Sequence, residues 1–447
     1  MNNQYPKIPI ISGFSKLNRE ERIEFLNKIL DKEYDIKPLL NAWQHPDKEI
    51  RATIEGFSEN FITSYHIPFG VVPNMLINGC NYLVPMVIEE SSVIAAAAKA
   101  AKFWSQNGGF KAEIIGTERK GQIHFIWQGD NSWLKENFAL ISTPILEITH
   151  STTLKMRERG GGITSLKLID KTTFIPGYYQ VDVSFETADA MGANFINTCL
   201  EEMAQSLQNF LAGFPDKGFA EIIMSILSNY TPNSLVRCMV ECEIGKLEKV
   251  SGGMRPETFA RKFELACQIA LVDVPRAVTH NKGIFNGVDA VVLATGNDWR
   301  AVEACGHAYA ASGGNYRSLT EAKIENGVFR YTLNLPIALG TVGGLTKSHP
   351  LAKLALEIMG NPSARQLMMI AAAAGLSNNF SAVAALITSG IQQGHMRMHL
   401  PNILKQLNAT AVEDQASRTH FAGLQVSYAA VEVFINQLRD KHGTNNQ

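Results

Sequence analysis

The segment "THNKGIFNGVDAVVLATGNDWRAVEA", residues 279–304, places an apolar run between two charged side chains. Two glycines follow Lys282 closely and predict tight turns before the run "DAVVLAT". That run is rich in β-branched residues, which favours a buried strand. Asp298 then precedes a helical pattern that begins at Trp299. We therefore expect a turn, a strand and a helix that bring Lys282 and Asp298 together in the core.

The bulk composition describes a globular and nearly neutral protein. Its 447 residues include 41 Lys+Arg and 42 Asp+Glu, which gives a formal net charge of −1. This balance gives no overall positive potential that would attract nucleic acid or an anionic membrane. A small anionic ligand would therefore have to be bound by a few local cations. The six cysteines are scattered, which indicates free thiols in a reducing cytoplasm and no metal site. We expect a cytoplasmic protein.

A change in the pattern of apolar residues near residue 111 predicts an inserted domain. Residues 111–221 combine short apolar runs with one long helical segment, which is typical of a small α+β domain. Residues 1–110 and 222–390 contain long Ala- and Gly-rich helical patterns, which predict one large, mostly helical, discontinuous domain. The more polar residues 391–447 predict a C-terminal helical flap. The expected fold class is α+β.

Two local predictions follow from apolar runs. In the small domain, "GQIHFIW", "ALISTPILEIT" and "YYQVDVSF" are predicted as strands. The most apolar stretch of the chain, "LMMIAAAAGLSNNFSAVAALI", is interrupted by the polar residues 377–379. That interruption predicts a buried pair of helices and argues against a membrane span.

Four side chains have the chemistry of acid–base catalysis, and each also has a structural interpretation. Glu90 follows an apolar run, where desolvation would raise the pKa of a proton donor, but it would also suit a first helical turn. Lys282 could stabilise an oxyanion or be a solvated loop lysine. Asp298 could act at the site or simply cap a helix. His395 could exchange a proton near neutral pH or be a surface histidine.

The segment "DAMGAN", residues 189–194, places small residues and a glycine at the start of a helix. Exposed amide groups there could bind a phosphate. It is not the GxGxxG fingerprint, and the glycine-rich "GTVGGLTKSHP" lacks the Walker pattern, so kinase-type chemistry is not expected.

Several long stretches, in conserved order along the chain, carry a resemblance to one family. They are "ENFITSYHIPFGVVPNMLING", "PMVIEESSVIAAAAKAAK", "DAMGANFINT", "ILSN", "RAVTHNKGIFNGVDAVVLATGNDWRAVEACGHAYA", "GTVGGLTKSHPLAK" and "GIQQGHMRMH". Over nearly its full length the chain resembles class II, bacterial-type, 3-hydroxy-3-methylglutaryl-coenzyme A (HMG-CoA) reductases. The resemblance implies a large substrate- and coenzyme A-binding domain with an inserted dinucleotide-binding domain.

The same resemblance implies a role for each candidate. Two hydrides from a nicotinamide cofactor would convert the thioester, through a hemithioacetal and mevaldehyde, to mevalonate. By position, Glu90 matches the proton-donating glutamate and Lys282 the lysine that stabilises the oxyanion. Asp298 matches the aspartate that hydrogen-bonds to that lysine. His395 matches the flap histidine that protonates the departing thiolate.

The resemblance also implies binding residues and an oligomer. The hydroxymethylglutaryl group would be bound by Ser92, Arg276, Asn229 and Asn286. The dinucleotide would lie nearest Asp189, Met191, Gly192 and Asn194. Two subunits build each active site in the family, so a homodimer or a multiple of dimers is expected, with neither a nucleic-acid nor a membrane partner.

The choice of cofactor depends on the stretch "THSTTLKMRERGGG". NAD-using members of the family carry an acidic residue before the glycines, where this chain has Thr153 with Ser151 and Lys155 nearby. Hydroxyl groups and a cation suit a 2′-phosphate, whereas a carboxylate would repel it. We expect NADPH to be favoured and NADH to be usable; the alternative is that the cations form a solvated helix face and selectivity is lax.

Two other functions are compatible with the sequence. One is a reductase for another acyl-coenzyme A, against which the hydroxymethylglutaryl-binding set argues. The other is a catalytically inactive coenzyme A- or dinucleotide-binding protein of the same fold. Retention of Glu90, Lys282, Asp298 and His395 argues against that second alternative.

Overall fold

The computed structural model describes residues 10–30, 35–388, 390, 400–422, 424 and 426–443. It divides into two compact units, Met1–Pro68 and Phe69–Gln447. Helices and antiparallel sheets are both present, which confirms the predicted α+β class.

The first unit is helical in its described part. A short 3₁₀ turn at Phe14–Lys16 precedes helices α1 (Arg19–Leu30), α2 (Lys37–Ala42) and α3 (Lys48–Glu55). Asn18 accepts a hydrogen bond from the Glu21 amide at 3.0 Å, and the Glu21 carboxylate accepts one from the Asn18 amide at 2.7 Å. This reciprocal pair satisfies two amides at the start of α1.

The second unit contains three sheets and the remaining helices. The described helices are α4 (Ser91–Ser105), α5 (Asn131–Glu136), α6 (Phe138–Ile148), α7 (His150–Arg157), α8 (Ala193–Ala212), α9 (Pro256–Val272), α10 (Val274–Ala294), α11 (Trp299–Ala311), α12 (Leu345–Ser348), α13 (Pro350–Ile358), α14 (Ala364–Ile387), α15 (400–406), α16 (Ala411–His420), α17 (Tyr428–Gly443) and a 3₁₀ segment, Ile244–Val250. The strands are β1 (Phe69–Ile77), β2 (Cys80–Val87), β3 (Lys111–Ile114), β4 (Arg119–Gly129), β5 (Gly162–Asp170), β6 (Tyr178–Glu186), β7 (Gly218–Ser228), β8 (Leu235–Glu243), β9 (Thr320–Glu325) and β10 (Val328–Pro336).

The sheets separate a small core from a large one. Strands β1 and β2 form a hairpin, and a four-stranded antiparallel sheet has the order β3-β8-β10-β9. A second antiparallel sheet, β5-β6-β4-β7, packs its own core against α6 and α8. Because β3 pairs with β8, residues 111–114 belong with the large core. The small sheet therefore begins and ends later than the predicted segment 111–221.

The run "ALISTPILEIT" was predicted as a strand, and this prediction is wrong because it forms α6. Ile141 and Ile145 are four residues apart and both fully buried, which is the spacing of one helical face. The Ser206 hydroxyl on α8 donates to the Pro144 carbonyl at 3.1 Å, which fixes α6 against α8. Tertiary packing thus decides the conformation of an apolar run without clear periodicity.

The run "DAVVLAT" was also predicted as a strand, but it lies in α10, so Lys282 is a mid-helix residue. The glycines after Lys282 serve helix packing. A Cβ atom at Gly287 would lie 2.4 Å from the Ala374 carbonyl oxygen of α14, and one at Gly375 would lie 2.7 Å from Val288. This close approach buries the β-branched face of α10, which outweighs its strand propensity.

The apolar stretch predicted as a pair of helices is one continuous helix, α14. Its polar residues are buried with hydrogen-bond partners: Asn378 donates to the Val93 carbonyl at 3.2 Å and Asn379 to the His280 carbonyl at 2.8 Å. Those bonds explain why the helix is not interrupted. Within the described ranges, α14 alone is long and apolar enough to cross a membrane, but 72% of its most apolar window is buried inside the protein.

The described C-terminal residues form helices, as predicted for the flap. Helices α15 to α17 share a small core of Leu400, Leu404, Phe421, Val431 and Ile435. The cysteines are free, as predicted, and Cys238 and Cys242 lie buried on β8. In the described part of the chain no group of His, Cys, Asp and Glu is arranged to hold a metal ion.

Candidate functional site

A cavity of about 430 Å³ lies among α4, α10 and α14. It brings together five of the residues singled out in the sequence, Glu90, Ser92, Arg276, Lys282 and Asn286. Helices α10 and α14 approach closely at their glycines and thereby form one wall. The cavity is therefore built by the large core and lies outside the small sheet.

Glu90 occupies the N-cap position of α4 but makes no capping hydrogen bond with its side chain. Its carboxylate instead accepts a hydrogen bond from the Ser92 hydroxyl, and Lys282 Nζ lies 3.4 Å from Glu90 Oε2. The carboxylate thus faces the cavity beside a cation. This arrangement supports a role in the site over a role as a helix cap.

Helix α10 supplies the other polar groups. Lys282 and Asn286 are four residues apart and therefore lie on one face, about 40° apart around the helix axis. Arg276 lines the cavity from the first turn of the helix, about 120° around the axis from Lys282. Asp273 fixes the start of the helix, since its carboxylate accepts a hydrogen bond from the Arg276 amide at 2.9 Å. The helix is therefore a rigid support for the cationic wall.

The described lining carries an excess of positive charge. Lys99, Arg276 and Lys282 line the cavity against the single carboxylate of Glu90. His280 also lines it, but burial lowers the pKa of this histidine to about 3, with a further contribution from Arg276, so it is neutral near pH 7. The cavity therefore favours an anionic ligand. Lys99 was missed in the sequence, although it lies seven residues after Ser92 on the same face of α4.

Asp298 lies elsewhere in the chain. It caps α11 by accepting hydrogen bonds from the Arg300 and Ala301 amides, each at 3.1 Å. Lys282 is twelve residues before Ala294, the end of α10, which corresponds to about 18 Å along the helix axis. The expectation that one chain brings Lys282 and Asp298 together is therefore wrong, because a rigid helix replaces the predicted turn and strand.

The cavity does not include Asn229, which lies exposed after β7 and is not among the lining residues. His395 lies outside the described residues.

The segment 189–194 forms a tight turn that leads into α8. Ala188 has a φ of 48° and Gly192, the N-cap of α8, a φ of 80°. The Glu186 carboxylate accepts a hydrogen bond from the Ala188 amide at 3.0 Å, which stabilises this left-handed residue. The first turn of α8 contains no acidic side chain and no side-chain cap, so its amides suit the pyrophosphate of a dinucleotide.

The members of this turn have different roles in the structure. Asp189 Oδ1 accepts a hydrogen bond from the Ala364 amide at 2.7 Å, and its carbonyl accepts one from Thr341 at 2.9 Å. Asp189 thus anchors the turn to the start of α14. Met191 is half-buried, whereas Asn194 is exposed on the first turn of α8.

The predicted phosphate-selective residues lie on α7, but one of them points inward. Thr153 is 4% exposed and its hydroxyl donates to the Thr149 carbonyl at 2.8 Å, so in this conformation the hydroxyl faces α7 itself and not a 2′-phosphate. Ser151 and Lys155 are exposed. The Thr152 hydroxyl donates to the Glu202 carboxylate of α8 at 2.7 Å, which brings an acidic group to α7 that the local sequence does not contain.

Comparison with known proteins gives one consistent result. The family model for hydroxymethylglutaryl-coenzyme A reductase matches residues 18–400. The chain is 35% identical over 405 residues to the 3-hydroxy-3-methylglutaryl-coenzyme A reductase of Archaeoglobus fulgidus, covering 90% of this chain and 88% of the relative. It is 32% identical over 406 residues to a probable reductase of the same name from Borreliella burgdorferi, covering 89% of each.

The solved structures agree. A class II 3-hydroxy-3-methylglutaryl-CoA reductase from Streptococcus pneumoniae, bound to NADPH in open conformations, matches with a TM-score of 0.68 and 34% identity. The match covers 85% of this chain and 100% of that one. Together with the family model and the two relatives, it establishes that this chain belongs to the hydroxymethylglutaryl-coenzyme A reductase family.

Proposed function

We propose that the protein interconverts 3-hydroxy-3-methylglutaryl-coenzyme A with mevalonate and coenzyme A, using two molecules of a nicotinamide cofactor per turnover. Membership of an oxidoreductase family supports the reaction class. The observation that carries the proposal is the juxtaposition of Glu90 and Lys282 in a cavity with excess positive charge.

The cationic lining fits the free carboxylate of the hydroxymethylglutaryl group. Arg276 presents a planar guanidinium that can bind a carboxylate through two hydrogen bonds. Ser92 and Asn286 offer a hydroxyl and an amide group that can bond to the 3-hydroxyl group and to a carboxylate oxygen of the same substrate. Lys99 adds charge without a rigid geometry, so we assign it to attraction of the anionic substrate.

The Glu90–Lys282 pair provides the acid–base chemistry. When the thioester carbonyl is reduced, negative charge develops on its oxygen, and the Lys282 ammonium donates a hydrogen bond to it. Glu90 supplies the proton that this oxygen requires when mevaldehyde becomes an alcohol. Each of two reduced nicotinamide molecules, bound one after the other, would supply one hydride. Collapse of the hemithioacetal releases the coenzyme A thiolate, to which His395 would supply a proton.

The dinucleotide is assigned to the small sheet. The amides of Ala193 and Asn194 at the uncapped start of α8 are suited to its pyrophosphate, and Met191 and Gly192 form the turn beside it. Ser151 and Lys155 present a hydroxyl and a cation on the exposed face of α7 for a 2′-phosphate. We propose that this hydroxyl and this cation make NADPH the favoured cofactor. Glu202, which accepts a hydrogen bond from Thr152 on the same helix, is a carboxylate that can bond to the ribose hydroxyls of NADH, so we propose that NADH is accepted as well.

Asp298 is proposed to act from a second subunit. Within one chain, Asp298 lies beyond the end of α10, and that end is about 18 Å along the helix axis from Lys282. A homodimer in which each site combines Lys282 of one subunit with Asp298 of the other reconciles this separation with the family resemblance.

Subunit complementation tests the shared site. Chains carrying Lys282→Ala and chains carrying Asp298→Ala are each expected to be inactive. Random mixing gives about half mixed dimers, each with one intact site, so the mixture should recover about a quarter of wild-type activity. No recovery, with subunit exchange verified by differently tagged chains, would place both residues in one chain's site and overturn the proposal.

The role of His395 is tested by separating the two half-reactions. His395→Gln should severely slow reduction of the thioester, because an unprotonated thiolate re-adds to mevaldehyde, while reduction of added mevaldehyde persists. Equal loss of both activities would remove the thiolate-protonation role. The same variant also examines whether residues 391–447 act as a catalytic flap.

A further inference from the structure

Asn297, the residue before Asp298, joins two distant segments through its side chain. It is 6% exposed, and its amide forms a reciprocal pair with the backbone of Gly340. Asn297 Nδ2 donates to the Gly340 carbonyl at 3.0 Å, and the Gly340 amide donates to Asn297 Oδ1 at 2.9 Å. Both polar ends of this buried side chain are therefore bonded to the backbone of one residue, and Nδ2 also donates to the Thr295 hydroxyl at 3.1 Å.

The end of α10 aims this side chain. Gly296 has a φ of 67°, and the Asn297 amide donates back to the Val292 carbonyl at 3.0 Å, which closes the helix with a left-handed glycine. The chain then turns directly into Asp298, the N-cap of α11. The orientation of Asn297 is thus fixed by the same turn that places Asp298.

Gly340 also contacts the turn 189–192, to which dinucleotide binding was assigned above. A Cβ atom at this position would lie 2.3 Å from the Met191 amide nitrogen, so the two backbones are in direct contact. The next residue, Thr341, donates its amide to the Asp189 carbonyl at 2.9 Å. Arg119 holds the preceding residue by donating from Nη2 to the Leu339 carbonyl at 2.9 Å.

We propose that Asn297 is a positioning residue that holds the Gly340–Thr341 segment, and through it the turn 189–192, at a fixed distance from Asp298. This inference rests on the proposed function of that turn in dinucleotide binding. Asn297 is not assigned contact with substrate or cofactor; it acts through Gly340. Its loss should therefore weaken dinucleotide binding selectively, because the Glu90–Lys282 cavity is built by other parts of α4, α10 and α14.

Two variants isolate the hydrogen-bond pair. Asn297→Asp preserves the size of the side chain but replaces the amide donor that faces the Gly340 carbonyl, and Asn297→Ala removes both bonds to Gly340.

A matched control is Asn78→Gly. Asn78 makes the same reciprocal pair with Ala112, at 2.7 and 2.9 Å, in the turn between β1 and β2. Its φ of 48° suits glycine, so the control loses the two bonds without backbone strain.

The test measures NADPH binding by fluorescence and HMG-CoA binding by calorimetry on the full chain, together with thermal unfolding. We expect both Asn297 variants to raise the Kd for NADPH about tenfold while the Kd for HMG-CoA changes less than about twofold. Asn78→Gly should lower the unfolding temperature and leave both Kd values unchanged.

Unchanged NADPH affinity in folded Asn297 variants would overturn the inference, as would an equal loss of both affinities. Wild-type protein that binds NADPH without turning over HMG-CoA would refute the proposed function while leaving the Asn297 comparison valid. Wild-type protein that binds no NADPH would overturn both.

Discussion

Lys282 and Glu90 meet across 192 residues of sequence, with Lys282 Nζ 3.4 Å from Glu90 Oε2. The lysine projects from the middle of α10, and the glutamate stands where β2 leads into α4. Helices α4 and α10 both pack into the large core, and that core holds the two positions from which the side chains meet. Asp298, the other carboxylate expected at this pair, caps α11 beyond the end of α10 in the same chain.

The first prediction concerns the cation of this pair. Lys282→Met keeps the length of the side chain but removes the charge that stabilises the oxyanion. We expect kcat to fall by about 10²–10³-fold or more for HMG-CoA and for mevaldehyde. Stopped-flow measurement of cofactor oxidation gives both rates. Substantial activity in Lys282→Met would show that another group stabilises the oxyanion.

The second prediction tests the cation that the sequence did not reveal. Lys99→Met should raise the KM for HMG-CoA about three- to tenfold and leave kcat nearly unchanged, because the charge attracts the substrate without touching the reacting carbonyl. Lys102→Met is the matched control, since Lys102 is exposed on the same helix and does not line the cavity. Similar KM values for the two variants would contradict a role for Lys99.

The third prediction concerns stability and pH. Burial raises the pKa of Asp289 well above its ordinary value, and the neighbouring Glu303 carboxylate raises it further. The folded chain therefore keeps a proton on Asp289 where the unfolded chain has lost it. The free energy of unfolding must fall as pH rises above the ordinary carboxyl range, by at most about 1.4 kcal/mol per pH unit for this group.

Asp289→Asn should flatten that fall, because an amide has no proton to lose. Urea unfolding at a series of pH values between 5 and 8 measures the effect. Asp216→Asn, at an exposed position, is the control and should reproduce the wild-type slope. An Asp289→Asn protein with an unchanged slope would show that Asp289 is ionised in the folded chain.

The fourth prediction addresses the contact between α10 and α14. Gly287→Ala would place a methyl group 2.4 Å from the Ala374 carbonyl oxygen, so the helices must move apart. We expect a loss of about 1–3 kcal/mol in the free energy of unfolding and reduced activity, since α10 carries Lys282. Gly245→Ala, which would meet no atom within 4 Å, should cost much less. Equal unfolding midpoints would refute close helix packing at Gly287.

Strands with a clear period were predictable from the sequence. In β6 the alternating residues Val181, Val183 and Phe185 are all fully buried, and the pattern in the sequence shows this directly. In contrast, "DAVVLAT" and "ALISTPILEIT" lack a decisive period. Their helical state depends on α14 and α8, partners distant in the sequence.

The candidate site was predictable in its chemistry but not in its geometry. Family resemblance named Glu90, Arg276 and Lys282, and the structure brings all three to one cavity. Sequence proximity suggested that Lys282 and Asp298 meet, but a straight helix separates them. No pattern in the sequence indicates the role of Asn297, because its side chain bonds to the backbone of Gly340, which lies 43 residues later in the chain.

The cavity that holds Glu90 and Lys282 is proposed to carry out a four-electron reduction. The most direct measurement is spectrophotometric turnover of HMG-CoA by the purified protein, with NADPH and NADH in separate reactions. We predict two cofactor molecules oxidised per molecule of HMG-CoA consumed, with mevalonate as product and a higher rate with NADPH. A folded, dimeric sample that oxidises neither cofactor would contradict the account, and a faster reaction with NADH would overturn the proposed preference for NADPH.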